Sequence, residues 1–194
     1  MPEGRLQRPS SDGRYVSSFK QVLYRHGVTM GCIALLGLSL SLASQFRNDY
    51  GSDFFSRPAI YVITGGIILT FFIIFLRFRK WELNEEQFLW ILYLLGISIV
   101  EEIAFRLTIP AVLLGAVGSV LSIFISNLLF AAIHYVTLRW KLIPCISAFI
   151  GGVGLSHLLE NTENIALLIL VHWFVTFLNT PRPPKSIVGR SQVD

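Results

Sequence analysis

The sequence predicts an all-α, polytopic integral membrane helix bundle with about six transmembrane helices. Two observations lead to this fold class. Hydrophobic residues make up 53% of the 194 residues and charged residues 14%, whereas a soluble domain usually carries about 25% charge. The apolar residues also fall into runs close to the ~20 residues that an α-helix needs to cross a bilayer. This composition excludes a disordered chain, a coiled coil and a nucleic-acid-binding domain.

Six apolar runs define the predicted spans, and only helices suit them, because backbone groups in lipid must bond within their own segment. The runs cover approximately residues 27–44, 58–76, 88–109, 117–136, 142–159 and 165–180. The segment 107–117 fits either a short interfacial helix or an extension of the fourth span. The predicted division is a polar basic N-tail over 1–26, one transmembrane domain over 27–180 and a polar C-tail over 181–194.

The distribution of basic residues predicts the orientation. With the N-terminus inside, the inside segments hold 13 of the 16 Lys and Arg residues, the outside loops hold Arg47 and Arg57, and Arg106 lies within or at the outer end of the third span. This asymmetry follows the positive-inside rule and places both termini in the cytoplasm. We therefore expect a multi-pass protein of a lipid bilayer, the plasma or inner membrane if the source is prokaryotic.

Three charged residues lie in the predicted third span, where a charge costs at least ~2.5–3.5 kcal/mol. Glu102 and Arg106 are four residues apart, so they share a helix face and can form an ion pair. Glu101 is rotated by about 100° from Glu102 and has no local partner. A carboxylate without a partner in apolar surroundings suits a general base. The alternative is a structural charge cluster that joins helices.

Two histidines in later spans are further candidates. His134 shares a helix face with Asn127, seven residues earlier, although a histidine near a helix end is usually a hydrogen-bonded core residue. His172 lies near the middle of the sixth span, with Thr176 and Asn179 near the same stripe. A histidine at that depth is costly enough to indicate a function. Of the other two histidines, His26 is interpreted as interfacial and His157 as structural.

The order of these residues resembles the CAAX protease and bacteriocin-processing family, also called the ABI family or type II CAAX prenyl endopeptidases. The family pattern is Glu-Glu-x-x-x-Arg, then Phe-x-x-x-His, then His-x-x-x-Asn. The first two motifs are complete here, as Glu101-Glu102-Ile-Ala-Phe-Arg106 and Phe130-Ala-Ala-Ile-His134. The third reads His172-Trp-Phe-Val-Thr176, so Thr176 stands where the family usually has Asn. The resemblance covers roughly residues 88–180.

The resemblance implies a glutamic-type intramembrane endopeptidase acting on a membrane-embedded or lipidated peptide or protein. Glu101 would take a proton from a water, and His134 would orient that water or share its proton. His172 would donate a hydrogen bond to the developing oxyanion, a contribution of ~3 kcal/mol per donor. Thr176 or Asn179 would assist it, and Thr176 can still donate one hydrogen bond.

The resemblance implies no cofactor, and the remaining motif residues have supporting roles. Glu102 and Arg106 would hold the helix as an ion pair or bind the substrate carboxylate, and Asn127 is a further supporting candidate. A zinc site made of the glutamates and the two motif histidines is permissible by residue type. It is disfavoured because the chain has no His-Glu-x-x-His helix and Arg106 would oppose a cation.

Two matters stay open at the level of sequence. The predicted boundaries place Glu101 and His134 at depths that differ by roughly 10–15 Å at ~1.5 Å per residue, whereas an active site requires them to converge with His172. The alternative function is a non-catalytic membrane protein of the same fold that binds a peptide, such as an immunity or scaffold protein, and Thr176 gives it weight. A transporter would need a continuous polar path, but the polar residues cluster in three places.

Overall fold

The computed structural model describes residues 5–10, 13–43 and 57–184, without the side chains of 41–43. The polar loop predicted around Arg47 and most of the C-tail lie outside the described residues. The described part is helical, apart from loops and one isolated antiparallel bridge between Gln7 and Trp140. The all-α prediction is therefore confirmed.

The described residues form six helices that we label α1 to α6. Helix α1 has three segments, of which the middle one is π-helical: Phe19–Val22, Leu23–Gly27 and Val28–Ala43. The others are α2 (Pro58–Phe78), α3 (Glu85–Val117, π-helical over Ile103–Thr108), α4 (Ser119–Thr137), α5 (Leu142–Thr162) and α6 (Ile165–Asn179). Helices α1 to α5 are long and apolar enough to cross a membrane, and α6 is a shorter apolar helix of 15 residues. The prediction of a polytopic membrane bundle is confirmed.

The outer surface of the bundle is apolar. Large side chains such as Val62, Val120 and Ile143 are more than two-thirds exposed, at 71%, 85% and 76%. A soluble monomer rarely leaves a contiguous surface of this kind in water. The surface instead suits lipid chains.

Helix α3 continues through Pro110, so the predicted end of the third span at that residue is wrong. Residues 107–117 are neither an interfacial helix nor part of the fourth span, because they complete α3. Proline has no N–H to give to a carbonyl in the preceding turn. The carbonyl of Phe105, five residues before Pro110, instead accepts the hydroxyl of Ser126 on α4 at 2.6 Å. Gly118, at φ +77°, then separates α3 from α4.

Aromatic packing fixes α6 against α2 and α3. The Phe72 ring of α2 stacks on Phe177 at 3.8 Å between centroids. The indole N–H of Trp173 donates to the Ile91 carbonyl at 3.1 Å, and that of Trp90 donates to the Thr180 carbonyl at 2.8 Å. These bonds set the position of α6 along α3, and His172 precedes Trp173.

Helix α1 begins earlier than the predicted span and is attached to α4. Ser18 and Gln21 form a capping box at its first turn, so residues 19–26 of the predicted N-tail are helical. The Arg25 guanidinium donates to the carbonyls of Thr137 and Val136 at the end of α4, at 2.9 and 3.1 Å. This attachment brings the next residue of α1 against the same end of α4.

Candidate active site

Four helices each contribute to one buried cluster of acidic and imidazole side chains. Glu101 and Glu102 come from the middle of α3, His134 from the end of α4, His172 from α6 and His26 from α1. All five residues are buried, with relative exposures of 7% or less. The three residues that the sequence analysis proposed as catalytic therefore converge.

The turn at Gly118 explains why Glu101 and His134 lie at the same depth. Glu101 is 17 residues before Gly118 on α3, and His134 is 16 residues after it on α4. The two helices run antiparallel from this turn, so both residues are about 25 Å from it at ~1.5 Å per residue. The depth difference expected from the sequence arose because α3 was ended at Pro110.

The Glu101 carboxylate lies between three imidazoles. His26 Nε2 is 2.9 Å from Glu101 Oε1, and His134 Nε2 is 3.6 Å from the same oxygen. His172 Nε2 is 3.5 Å from Glu101 Oε2. The first distance is a hydrogen bond, and the other two leave room for a shared water or substrate atom.

Neighbouring acceptors fix the tautomers of two of these rings. The Thr137 hydroxyl donates to the Ile133 carbonyl at 2.7 Å, so its oxygen accepts the Nδ1–H of His26 at 2.8 Å. The Phe130 carbonyl can only accept, so His134 Nδ1–H donates to it at 2.8 Å. In their neutral forms both rings therefore turn the Nε2 lone pair toward Glu101.

Glu102 contacts both Arg106 and His172. The guanidinium Nε of Arg106 is 3.3 Å from Glu102 Oε2, and this is the ion pair predicted from their spacing. The other oxygen, Oε1, is 2.5 Å from Nδ1 of His172. Glu102 can therefore orient the His172 ring so that its Nε2 faces Glu101.

Asn127 lies beside Arg106 and away from the three imidazoles. Its amide donates to the Ile123 carbonyl and to the Ser156 hydroxyl, at 2.9 and 3.0 Å. A Cβ added at Gly152 on α5 would collide with the Asn127 carbonyl oxygen, so the absence of a side chain there lets α5 approach α4. Asn127 supports the packing around Arg106.

The two polar residues after His172 differ in their position. Thr176 is half-buried and one turn further along α6. Asn179 is exposed, and its carbonyl accepts the Arg5 side chain at 2.8 Å. Thr176 therefore lies nearer the cluster than Asn179. His157 is outside it, on a side chain that is 77% exposed beside Glu160.

The two π-helical segments both border the cluster. Leu23–Gly27 contains His26, and Ile103–Thr108 contains Arg106 and follows Glu102 directly. π-helical turns inside α-helices often occur at functional sites. In α3 the segment also precedes Pro110, which accounts for the local departure from α-helical bonding.

Sequence reasoning missed the position of His26, which was interpreted as interfacial but is 3% exposed and bonded to Glu101. Together with Glu101 and His134, it forms the group of described residues whose ligand atoms all lie within 4.8 Å of one another. By residue type this group can hold a metal ion. The set considered from the sequence differs from it, because Glu102 and His172 bind each other.

Comparison with known proteins places this membrane bundle and its buried cluster in a family. A family model described as Type II CAAX prenyl endopeptidase Rce1-like matches residues 84–178, which include the whole of α3 to α5 and nearly all of α6. This part of the chain therefore belongs to the CAAX protease family, which supports a CAAX-type intramembrane endopeptidase function in general terms. Neither a curated protein nor a solved structure matches the chain.

Proposed function

We propose that this protein is a glutamic intramembrane endopeptidase that hydrolyses a peptide bond of a membrane-embedded or lipidated substrate. The observation that carries the proposal is the position of the Glu101 carboxylate between His134 and His172, at 3.6 and 3.5 Å. Each of these residues stands in one of the three motifs of the family to which residues 84–178 belong.

The proposed reaction begins with a water between Glu101 and His134. The distance of 3.6 Å suits two groups that share a bound water. His134 Nε2 accepts one hydrogen of this water, because its Nδ1–H is engaged by Phe130. Glu101 takes the other proton as general base, a role that contributes typically 10²–10⁴-fold to the rate. The resulting hydroxide attacks the peptide carbonyl.

The oxyanion is stabilised from α6. A protonated His172 keeps its Nδ1–H on Glu102 and presents its Nε2–H on the side of Glu101, where the substrate carbonyl lies. The hydroxyl of Thr176 supplies a second donor. Glu101 then gives its proton to the leaving amine, and the mechanism uses only groups of the chain itself.

The burial of the cluster supports a substrate that arrives from the membrane. A peptide bond in an intact helix has a crowded carbonyl that is already hydrogen-bonded. The substrate segment must therefore be extended, near a chain end or a helix break. We include in the proposal both termini on the cytoplasmic side and no nucleic-acid partner.

The test is the isosteric variant Glu101→Gln in membranes that otherwise express the wild-type level of protein. We expect the variant to lose all cleavage, because the amide cannot take a proton from water. Comparative proteomics of membranes containing each form reads this out as a product present only with the wild type. Identical product profiles would contradict the protease. A phenotype that Glu101→Gln retains would identify the alternative, a peptide-binding protein of the same fold.

A further inference from the structure

His26 contacts Glu101 in a way that the proposed hydrolysis does not use. Its Nε2 is 2.9 Å from Glu101 Oε1, closer than either of the other imidazoles. Water activation needs His134, and oxyanion stabilisation needs His172, so the third ring has no part in the reaction. His26 also lies outside residues 84–178, the part of the chain that the family model matches.

The ligand atoms around Glu101 have the composition of a three-ligand metal site. His26, Glu101 and His134 supply two imidazole nitrogens and one carboxylate oxygen, all within 4.8 Å of one another. Two histidines and a glutamate are a known protein ligand set for zinc with one coordination position left open. A tetrahedral ion with bonds of ~2.0–2.1 Å would space neighbouring ligand atoms about 3.3 Å apart. The pairs now at 2.9 and 3.6 Å need only small shifts to reach that spacing.

The outer hydrogen bonds of the two rings are those of metal-binding histidines. A histidine that binds a metal through one nitrogen usually donates its other N–H to a carbonyl, carboxylate or water, which fixes the ring. His134 donates its Nδ1–H to the Phe130 carbonyl, and His26 donates its own to the Thr137 hydroxyl. Both rings are thus held with Nε2 toward the same carboxylate oxygen before any ion arrives.

The charge of the buried cluster favours a cation. It contains two carboxylates, Glu101 and Glu102, and one guanidinium, Arg106. Arg106 is paired with Glu102 at 3.3 Å and lies over the Phe130 ring at 4.6 Å. Its charge is therefore directed at Glu102 and leaves Glu101 without a cationic partner. An unpaired buried carboxylate is strongly unfavourable, and a divalent ion compensates it.

We propose that His26, Glu101 and His134 bind one divalent transition-metal ion of the Zn²⁺ type, and that the bound ion blocks hydrolysis. The ion takes the Glu101 oxygen and the His134 Nε2 lone pair, both of which the reacting water needs. The binding step stands apart from the proposed function, and only the block rests on it. Helix α1 is thereby assigned a regulatory contribution to a site whose other parts lie on α3, α4 and α6.

The first experiment measures zinc itself. The full-length protein is purified, treated with a chelator, titrated with ZnCl₂ by calorimetry and then desalted for elemental analysis. We expect one retained equivalent for the wild type. His26→Gln should weaken binding by more than about 100-fold, and Thr137→Val, which removes only the outer partner, by about 10–100-fold. His157→Gln is the matched control, because that exposed histidine lies outside the cluster, and it should bind as the wild type does.

Glutamine at position 26 keeps an amide that can bond to Thr137, so the variant retains a polar partner there, and its folding is checked by thermal unfolding. If His26→Gln does not fold, Thr137→Val decides the question. Equal zinc affinity in the wild type and in the folded variant at His26, or no zinc retained by the wild type, would overturn the proposal.

The second experiment measures cleavage at saturating Zn²⁺. We expect the wild type to lose its activity and to regain it with chelator, while His26→Gln stays active at the same zinc concentration. Zinc that binds at one equivalent but raises the cleavage rate would overturn the block and also the metal-free mechanism. Zinc binding without cleavage at any zinc concentration would contradict the proposed function and leave the binding site in place.

Discussion

At the scale of the residue, Thr176 is the point where this chain departs from the family motif. The usual Asn carries two amide donors, whereas Thr has one hydroxyl donor on a shorter side chain. Thr176 is half-buried and one turn beyond His172, while Asn179 is exposed with its carbonyl on Arg5. Thr176 is therefore the better candidate for the second oxyanion donor.

The variant Thr176→Val keeps the shape of the side chain and removes its hydroxyl. If Thr176 donates to the oxyanion, kcat should fall by about 100-fold, corresponding to ~3 kcal/mol for one donor, with a smaller change in KM. Steady-state cleavage of a membrane-embedded peptide measures both constants. Thr176→Asn should equal or exceed the wild type.

The control for Thr176→Val is Asn179→Ala, which changes an exposed residue outside the cluster. It should leave kcat unchanged. A kcat for Thr176→Val equal to that of the wild type would show that Thr176 is not a donor.

The contrast between His26 and the motif residues shows where residue-level prediction ends. Glu101, His134 and His172 were proposed from motif order and from the cost of polar groups in a span. His26 offered no such signal, because it lies at the border of an apolar run. Its burial depends on two features that spacing does not encode, the π-helical segment Leu23–Gly27 and the bond of Arg25 to the end of α4. A histidine next to an arginine at a span end was the only available hint.

At the scale of the element, α3 shows how one side chain lets a helix continue through a proline. Pro110 would normally end or kink the helix. The Ser126 hydroxyl on α4 satisfies the carbonyl of Phe105, and α3 therefore reaches Val117. The sequence rule that ends a helix at proline fails here because the compensating donor is 21 residues away along the chain.

Removing that donor with Ser126→Ala should destabilise the protein by about 1–3 kcal/mol, because the buried Phe105 carbonyl loses its partner. In a Pro110→Ala background the new backbone N–H at position 110 can bond within the helix. The same serine substitution should then cost less. Thermal unfolding of the four proteins in detergent gives the coupling between the two sites. Equal costs in both backgrounds would contradict the proposed compensation.

At the scale of the whole molecule, one end of the bundle collects the N-terminal segment, the α4–α5 connection and the end of α6. The Arg8 amide donates to the Arg139 carbonyl at 2.7 Å, and the Lys141 amide donates to the Leu6 carbonyl at 2.8 Å. The Arg5 side chain reaches the Asn179 carbonyl on α6. These segments are among those that the basic residues assign to the cytoplasm, so the contacts agree with an even number of crossings between them.

Cysteine labelling tests this orientation. In a Cys32→Ser, Cys145→Ser background, Lys20→Cys should react with a membrane-impermeant maleimide only after the membrane is opened. Glu160→Cys, at the other end of the bundle, should react in intact cells. The two positions are matched because both are exposed in the structure. Labelling of both positions, or of neither, in intact cells would contradict the predicted orientation.

The fold class and the approximate position of every span followed from composition and run length, since the bilayer sets both. The lengths of α3 and α6 did not follow, because they depend on contacts between helices. Ending α3 at Pro110 produced the apparent depth difference between Glu101 and His134. The corrected boundary at Gly118 removes it.

The equal counts from Gly118 to Glu101 and to His134 limit how this family member can change during evolution. One residue inserted between Glu101 and Gly118, or between Gly118 and His134, would turn the displaced side chain by about 100° and move it by ~1.5 Å. An insertion at the turn itself changes neither arm. In chains descended from the same ancestor, gaps should therefore accumulate at the turn and be rare in the two arms, so that alignment gaps alone should reveal the hairpin.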